Sequence, residues 1–214
     1  MLPKSKIIVA LDTNNFNKIK KLIPKISKQI YGVKVGYQFF FNFQSKGINF
    51  LREHKLKIFF DFKLHDIPNT VLMAINAIKK YSPDMITVHI SGGEKMLNIA
   101  RKACNNSKLI GVTALTSLDN ISVSRIYNRK TTLKLVKDLV KIALRNKLDG
   151  VVCSPHEIKM VKKISRKKLK IITPGIRNRY NKIKTDDQKR TMNANKAIEH
   201  GADYLVIGRP VLNC

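Results

Sequence analysis

The sequence predicts an α/β protein, a (β/α)8 barrel of the TIM type, and two observations lead to this fold. Eight short apolar runs of strand-like composition recur along the 214 residues, and seven of them precede a stretch that can be helical. Strands that alternate with helices pair in parallel, and eight such units close into a barrel. Only "RPVLNC" follows Gly208, so the final C-terminal helix is predicted to be missing. A doubly wound open sheet is the alternative.

The predicted strands follow one another without a linker or a sequence repeat, so residues 1–214 are interpreted as a single domain. In chain order they are "KIIVALD", "YGVKVG", "KIFFDFKL", "MITVHI", "LIGVTAL", "GVVCS", "KIITPG" and "YLVIG". After the third strand, Val71, Ile75 and Ile78 have helical spacing, and Asn69 or Thr70 can supply the helix cap. The segment "TTLKLVKDLVKIALRNK" predicts a second amphipathic helix after the fifth strand.

The composition is strongly basic, with 42 Lys and Arg against 14 Asp and Glu and a formal net charge of +28. Such a charge attracts nucleic acid and acidic membrane surfaces. The lysines are nevertheless spread along the chain among many Asn and Ile, a pattern typical of an AT-rich genome, and no nucleic-acid-binding motif accompanies them. We therefore expect nucleic-acid binding to be nonspecific, if it occurs at all, and to be confined to low salt.

Membrane and metal-binding classes are not favoured either. No apolar run approaches the length that spans a bilayer, so no membrane partner is expected. Cys104, Cys153 and Cys214 form no C-x-x-C pair and have no His at metal-ligand spacing, so no metal is predicted. Three scattered cysteines suit a reducing cytoplasm, which is the predicted location.

Charged residues occur at the ends of the first two strands, where a barrel carries its chemistry. Asp12 ends the first strand and can be either a site residue or the cap of the next helix. Lys34 lies between Val33 and Val35, inside the second strand. Parallel strands of a barrel are covered on both faces, so a lysine there is costly unless an acid pairs with it.

The third strand carries the strongest signal, "DFKLHDIPNT". Because side chains alternate along a strand, Phe59, Asp61 and Lys63 share one face. Phe60 and Phe62 share the other. We expect Asp61 and Lys63 to point into the barrel mouth with Lys34, and Asp66 to follow in the turn. Lys34, Asp61, Lys63 and Asp66 would then form an array of alternating charge. A purely structural ion-pair network is the alternative.

The later strand ends supply polar and phosphate-binding residue types. His89 is more often a satisfied core residue, whereas Thr113 and Thr116 are expected near the mouth. The seventh and eighth strands end in "TPGIR" and "IGR", which bring glycine and arginine to the place where barrels often hold a phosphate. The loop "NRYNKIKTDDQ" between them is interpreted as a mobile lid. Together these residues predict a phosphorylated small-molecule substrate.

These motifs resemble the orotidine 5′-monophosphate decarboxylase family. The stretch "DFKLHDIPNT" fits the family signature D-x-K-x-x-D-I-P-x-T. The segments "VALD", "VKVG", "VTALTS", "TPGIR", "DDQ" and "VIGRPV" occur in the family's order and spacing, from about Ile7 to Val211. The resemblance implies conversion of orotidine 5′-monophosphate (OMP) to UMP and CO2 without a cofactor, in pyrimidine biosynthesis.

The resemblance also implies a role for each site residue. Lys63 would donate the proton to C6 of the pyrimidine, Asp61 and Lys34 would keep Lys63 charged and oriented, and Asp66 would lie near the departing carboxylate. The implied substrate-binding residues are Asp12 and Lys34 at the ribose, Thr116 at the pyrimidine, and Gln188, Gly208 and Arg209 at the phosphate, with Arg177 beside them. Asp66, Ile67 and Thr70 would reach the partner's site in a homodimer.

Two other functions are kept open. The D-x-K-x-x-D element also occurs in a sugar-phosphate decarboxylase branch of the same superfamily, which can use Mg²⁺. The other alternative is a basic nucleic-acid-binding protein without catalysis. Dependence on metal and on Lys63 distinguishes these alternatives from the nucleotide decarboxylase.

Overall fold

The computed structural model describes residues 6–177 and 190–212 as one closed barrel of parallel strands. The eight strands pair in chain order, and β1 closes the barrel by pairing with β8. They are β1 Ile7–Ala10, β2 Gly32–Val35, β3 Lys57–Leu64, β4 Met85–His89, β5 Lys108–Val112, β6 Gly150–Val152, β7 Lys170–Thr173 and β8 Tyr204–Ile207. The predicted barrel is confirmed, and the open-sheet alternative is wrong.

Helices cover the outside of the barrel. They are α1 Phe16–Ile26, α2 Tyr37–Glu53, α3 Pro68–Lys79, α4 Gly93–Ala103, α5 Asn120–Tyr127, α6 Thr132–Arg145, α7 Ile158–Ser165, α8 Ala194–Glu199 and α9 Arg209–Leu212. After β8 the described part of the chain contains only the four-residue α9, in the place where a full crossover helix would follow. No helix in residues 6–177 and 190–212 is long and apolar enough to cross a membrane.

Two helix caps differ from expectation. Helix α3 begins at Pro68, whose fixed φ suits the first helical position, so neither Asn69 nor Thr70 is its cap. Helix α1 is capped by Asn15, whose side chain accepts a hydrogen bond from the backbone of Lys18. Asp12 is therefore free of a capping role and available to the site.

The core has two layers, as expected for a barrel. Between the sheet and the helices, Phe60 and Phe62 pack with the apolar faces of α2 and α3. Inside the barrel, a smaller cluster closes the interior below the mouth. Its buried members are Ile8, Ala10, Phe59, Met85, Ile110, Ile172 and Val206. The alternation predicted for β3 is thus confirmed, because Phe59 faces inward and its neighbour Phe60 faces the helices.

Strand register fixes where charges meet at the mouth. Lys34 pairs with Ala10 on one side and with Phe59 on the other. Asp12 and Asp61 each follow these partners by two residues. Because the side-chain period of a strand is two, both acids project one level above the Lys34 backbone, on either side of it.

Candidate active site

A chain of ion pairs crosses the mouth of the barrel. The Nζ atom of Lys34 lies 3.2 Å from Oδ1 of Asp12 and 3.4 Å from Oδ2 of Asp61. The Nζ atom of Lys63 donates to the same Oδ2 of Asp61 at 2.9 Å. Gly36 leaves room for this arrangement, since a Cβ there would lie 3.2 Å from Asp12 and 3.3 Å from Lys34. One buried carboxylate therefore holds two ammonium groups together.

The charges of this array stabilise one another against burial. Burial by itself would raise the pKa of Asp61, but Lys34 and Lys63, together with hydrogen bonds from Lys63 and Thr87, hold that pKa below its ordinary value. Burial would likewise lower the pKa of Lys34, but attraction to Asp61 and Asp12 outweighs it and raises the pKa. Both groups therefore stay ionised at neutral pH.

The backbone of β3 changes conformation at the lysine. Lys63 has a φ of 47°, in the left-handed region that a non-glycine residue rarely adopts, and the pairing of β3 with β4 shifts register between Phe60 and Leu64. Thr87 of β4 stabilises this turn: its hydroxyl accepts from the backbone N–H of Lys63 at 2.8 Å and donates to Oδ1 of Asp61 at 3.2 Å. The Lys63 side chain is thereby directed to Asp61 and the cavity.

The array borders a cavity of about 440 Å³ at the C-terminal ends of the strands. Most of the predicted site residues line it. They are Asp12, Lys34, Asp61, Lys63, Thr116, Arg177, Gly208 and Arg209. Pro174 and Gly175 complete the wall after β7, and the φ of 76° at Gly175 is one that favours glycine. The cavity thus brings the charged array together with glycine and arginine residues, which suit a phosphate.

Asp66 is not part of the array within the chain, contrary to expectation. Its side chain is exposed and accepts a hydrogen bond from the backbone of Ile67 at 2.7 Å. Asp66 and Thr70 instead line a neighbouring cavity with Lys63, and Ile67 is 67% exposed beside it. The turn after Lys63 carries the acid outward, and Asp12, rather than Asp66, is the second acid of the array.

Three other predicted residues have different outcomes. Thr113 is buried and donates to the backbone of Val152 at 2.8 Å, so it does not reach the mouth, and only Thr116 does. Burial lowers the pKa of His89 to about 4, assisted by His65 and Lys63, so His89 is neutral at pH 7. Gln188 and the predicted lid, residues 178–188, lie outside the described residues, as does Cys214.

The sequence carries a family signature along nearly its whole length. The family model described as "Orotidine 5'-phosphate decarboxylase / HUMPS family" matches residues 5–213. The chain belongs to this family.

Relatives of the orotidine 5′-phosphate decarboxylase / HUMPS family align over most of the chain. A protein of Wolbachia pipientis subsp. Culex pipiens named orotidine 5′-phosphate decarboxylase is 43% identical over 96% of this chain and 90% of its own length. One of Wigglesworthia glossinidia brevipalpis with the same name is 41% identical over 97% and 90%. The crystal structure of orotidine 5′-phosphate decarboxylase from Lactobacillus acidophilus has a TM-score of 0.81, with 32% identity over 98% of this chain and 92% of that one.

Sequence reasoning missed two residues that hold the backbone at and next to Lys63. Thr87 is fully buried, yet it lies in the otherwise apolar run "MITV", so a polar residue at a core position was an available signal. Tyr37 donates from its hydroxyl to the backbone carbonyl of Phe62 and stacks on that ring with centroids 5.8 Å apart. It begins α2 and gave no local signal for this contact.

Proposed function

We propose that the chain catalyses the decarboxylation of OMP to UMP and CO2 without a metal or an organic cofactor. One observation carries the proposal: the Lys63–Asp61–Lys34–Asp12 array and the arginines that suit a phosphate border the same cavity. A 5′-nucleotide has a phosphate at one end and a reacting ring at the other, so this cavity offers matching groups to both ends. The chain is proposed to act in pyrimidine biosynthesis.

The chemistry follows from the charge at the ring end. Breaking the bond between C6 and the carboxylate releases CO2 and leaves an electron pair in the plane of the pyrimidine, where the π system cannot take it up. The Lys63 ammonium stabilises that carbanion and then donates a proton to C6, which gives UMP and a neutral amine that regains its proton from water. Asp61 keeps the ammonium oriented, because its carboxylate accepts a hydrogen bond from the Lys63 Nζ atom at 2.9 Å.

The remaining groups are assigned to binding. Asp12 and Lys34 are proposed to bind the ribose hydroxyls, and Thr116 the pyrimidine. Arg177, Gly208 and Arg209 are proposed to bind the phosphate with Gln188. A guanidinium binds phosphate through a bidentate fork, and glycine, which has no side chain, lets a backbone amide approach the phosphate. Binding energy from the phosphate then assists reaction at C6.

Asp66, Ile67 and Thr70 are proposed to complete the site of a partner subunit. The exposed position of all three supports this assignment, because a residue turned away from its own array is free to approach another copy. Exposed apolar side chains occur around them, including Tyr37 and Met73, which are 51% and 56% exposed. In that homodimer Asp66 would lie near the departing carboxylate.

The proposed function is tested by mixing the protein with OMP and following the ultraviolet change on conversion to UMP, with and without EDTA. We expect turnover that EDTA does not reduce, because the lysine array supplies both the electrostatic stabilisation and the proton. A sugar phosphate is the comparison substrate. Turnover of the sugar phosphate alone, or turnover that requires Mg²⁺, would favour the sugar-phosphate branch of the family and contradict the proposal.

The homodimer gives a separate prediction. We expect Ile67→Lys to shift the protein toward monomer and to reduce activity most at low protein concentration, because a charge replaces an apolar contact and removes the partner's Asp66 and Thr70 from the site. Sedimentation and activity are measured over the same dilution series. Ile121→Lys is the matched control, since Ile121 is 65% exposed on α5. Equal behaviour of the two variants would argue against this interface.

Nucleic-acid binding and cytoplasmic location stay predictions. The net charge of +28 supports weak attraction to a phosphate backbone, which we expect to fall steeply as salt rises. Cys104 and Cys153 are buried free thiols, consistent with a reducing compartment.

A further inference from the structure

One arginine outside the cavity connects the segment that precedes α8 to two neighbouring loops. The Nη1 atom of Arg190 pairs with Oε1 of Glu157, and Nη2 donates to the backbone carbonyl of Leu115 at 3.1 Å. Glu157 follows β6 and Leu115 follows β5. The planar guanidinium can make both contacts at once because its donors form a rigid fork.

Glu157 is a fixed attachment point for this arginine. Its side chain is only 1% exposed, and its second oxygen accepts from the backbone N–H of Ser154 at 2.9 Å in a capping box. Burial raises the pKa of Glu157 and Arg190 opposes that effect. A buried carboxylate of this kind is costly without its partner, so the pair is maintained as a unit.

The segment carrying Arg190 is hydrogen-bonded to residues 175–177, which follow β7 at the wall of the cavity. The backbone N–H of Met192 donates to Gly175 at 3.1 Å, and that of Arg177 donates to Met192 at 3.0 Å. Ile176 and Met192 form a parallel bridge between these bonds. Gly175 and Arg177 both line the cavity, whereas neither Arg190 nor Glu157 does. Arg190 is therefore connected to the cavity wall through the backbone from Arg190 to Met192.

We propose that the Arg190–Glu157 pair is a positioning device that holds Gly175 and Arg177 in place, so that Arg177 can bind the substrate phosphate. The inference rests on the proposed function, because that function gives the substrate its phosphate group. Arg190 fastens residues 190–192 to Glu157 and Leu115, and the bridge at Met192 passes that constraint to the residues after β7. Without the pair, the residues after β7 would no longer be held at a fixed distance from the loops after β5 and β6.

The experiment uses the double variant Arg190→Met/Glu157→Gln. Arg190→Met alone would leave Glu157 charged and buried, which threatens folding, whereas the Gln still accepts from Ser154. The control is Arg101→Met/Asp149→Asn, a second arginine–carboxylate pair whose acid accepts from the backbone of Leu109 at 2.7 Å. That pair lies at the N-terminal ends of β5 and β6, away from the cavity.

We expect the Arg190→Met/Glu157→Gln variant to raise the KM for OMP and the Kd for UMP by about tenfold to a hundredfold, because a misplaced binding group costs on that order. Its affinity for uridine, which lacks the phosphate, should stay within about twofold of the unmodified protein, since only the phosphate contacts are lost. The Arg101→Met/Asp149→Asn control should change none of these constants in the folded protein.

Two results would overturn the inference in a protein that turns over OMP. One is a folded double variant with unchanged KM for OMP and unchanged Kd for UMP. The other is an equal loss of affinity for UMP and uridine, which would indicate general loosening of the cavity. Failure of the unmodified protein to turn over OMP or to bind UMP would instead contradict the proposed function itself.

Discussion

Lys63→Ala is expected to lower kcat/KM for OMP by at least about 10⁴-fold, the largest effect of any single substitution in this chain. Two contributions are lost together. A positioned proton donor contributes about 10²–10⁴-fold, and a group that stabilises developing charge contributes about 10²–10³-fold. Removing the ammonium also leaves Lys34 as the one charged partner of Asp61 among the residues that the structure describes, so the negative charge near C6 rises. Activity is measured by the ultraviolet assay at saturating and limiting OMP.

Lys57→Ala is the matched control for this lysine. Lys57 begins the same strand, and its Nζ atom pairs with Asp84 at 2.9 Å. It lies at the opposite end of the barrel from the cavity and is 56% exposed in its side chain. We expect this control to retain the activity of the unmodified protein. If a folded Lys63→Ala variant keeps a kcat/KM within about tenfold of the unmodified protein, Lys63 does not take part in the reaction.

Asp61→Asn is expected to produce the second largest effect, on both activity and stability. The amide can still accept from Thr87, but two ammonium groups then face each other across a neutral side chain. Breaking a buried ion pair by removing one partner costs about 3–5 kcal/mol in the free energy of unfolding. Because Lys63 also loses the acceptor that orients it at 2.9 Å, we expect kcat to fall by about 10²-fold or more.

The stability effect of Asp61 has a defined pH dependence. The pKa of Asp61 is lowered in the folded protein from its ordinary value of 3.8, so its stabilising contribution is fully present above that pH. The contribution is lost as the pH falls from 3.8 through the folded pKa. In urea unfolding, the difference between the unmodified protein and Asp61→Asn should therefore be constant from about pH 5 to 8 and shrink in stronger acid.

Asp84→Asn separates the two effects of the Asp61 substitution. Asp84 also has a lowered pKa, accepts from the backbone of Ile58 at 2.9 Å and pairs with Arg52 at 3.1 Å. It lies at the N-terminal end of the barrel, so we expect its loss to reduce stability without reducing kcat. If Asp84→Asn lowered kcat as much as Asp61→Asn does, the activity loss would be attributed to stability alone.

Much of the fold was decided by local sequence. Apolar runs such as "KIFF" and "YLVI" predicted buried strands, and the helical spacing between eight such runs favoured a parallel barrel over an open sheet. Strand ends were therefore predictable, and with them Asp12, Lys34, Asp61, Lys63, Gly208 and Arg209. The reason is that the C-terminal ends of parallel strands always meet at one end of the barrel.

Tertiary structure decided how those residues are connected. The sequence predicted an array containing Asp66, but the left-handed backbone at Lys63 turns Asp66 outward, and the register of β1 with β2 brings Asp12 to Lys34 instead. The contacts of Thr87 and of the Arg190–Glu157 pair were also beyond local reasoning, because the residues in contact lie 24 to 33 positions apart in the chain. Local pattern specifies the face on which a side chain projects, whereas register, bulges and loop contacts specify which charges meet.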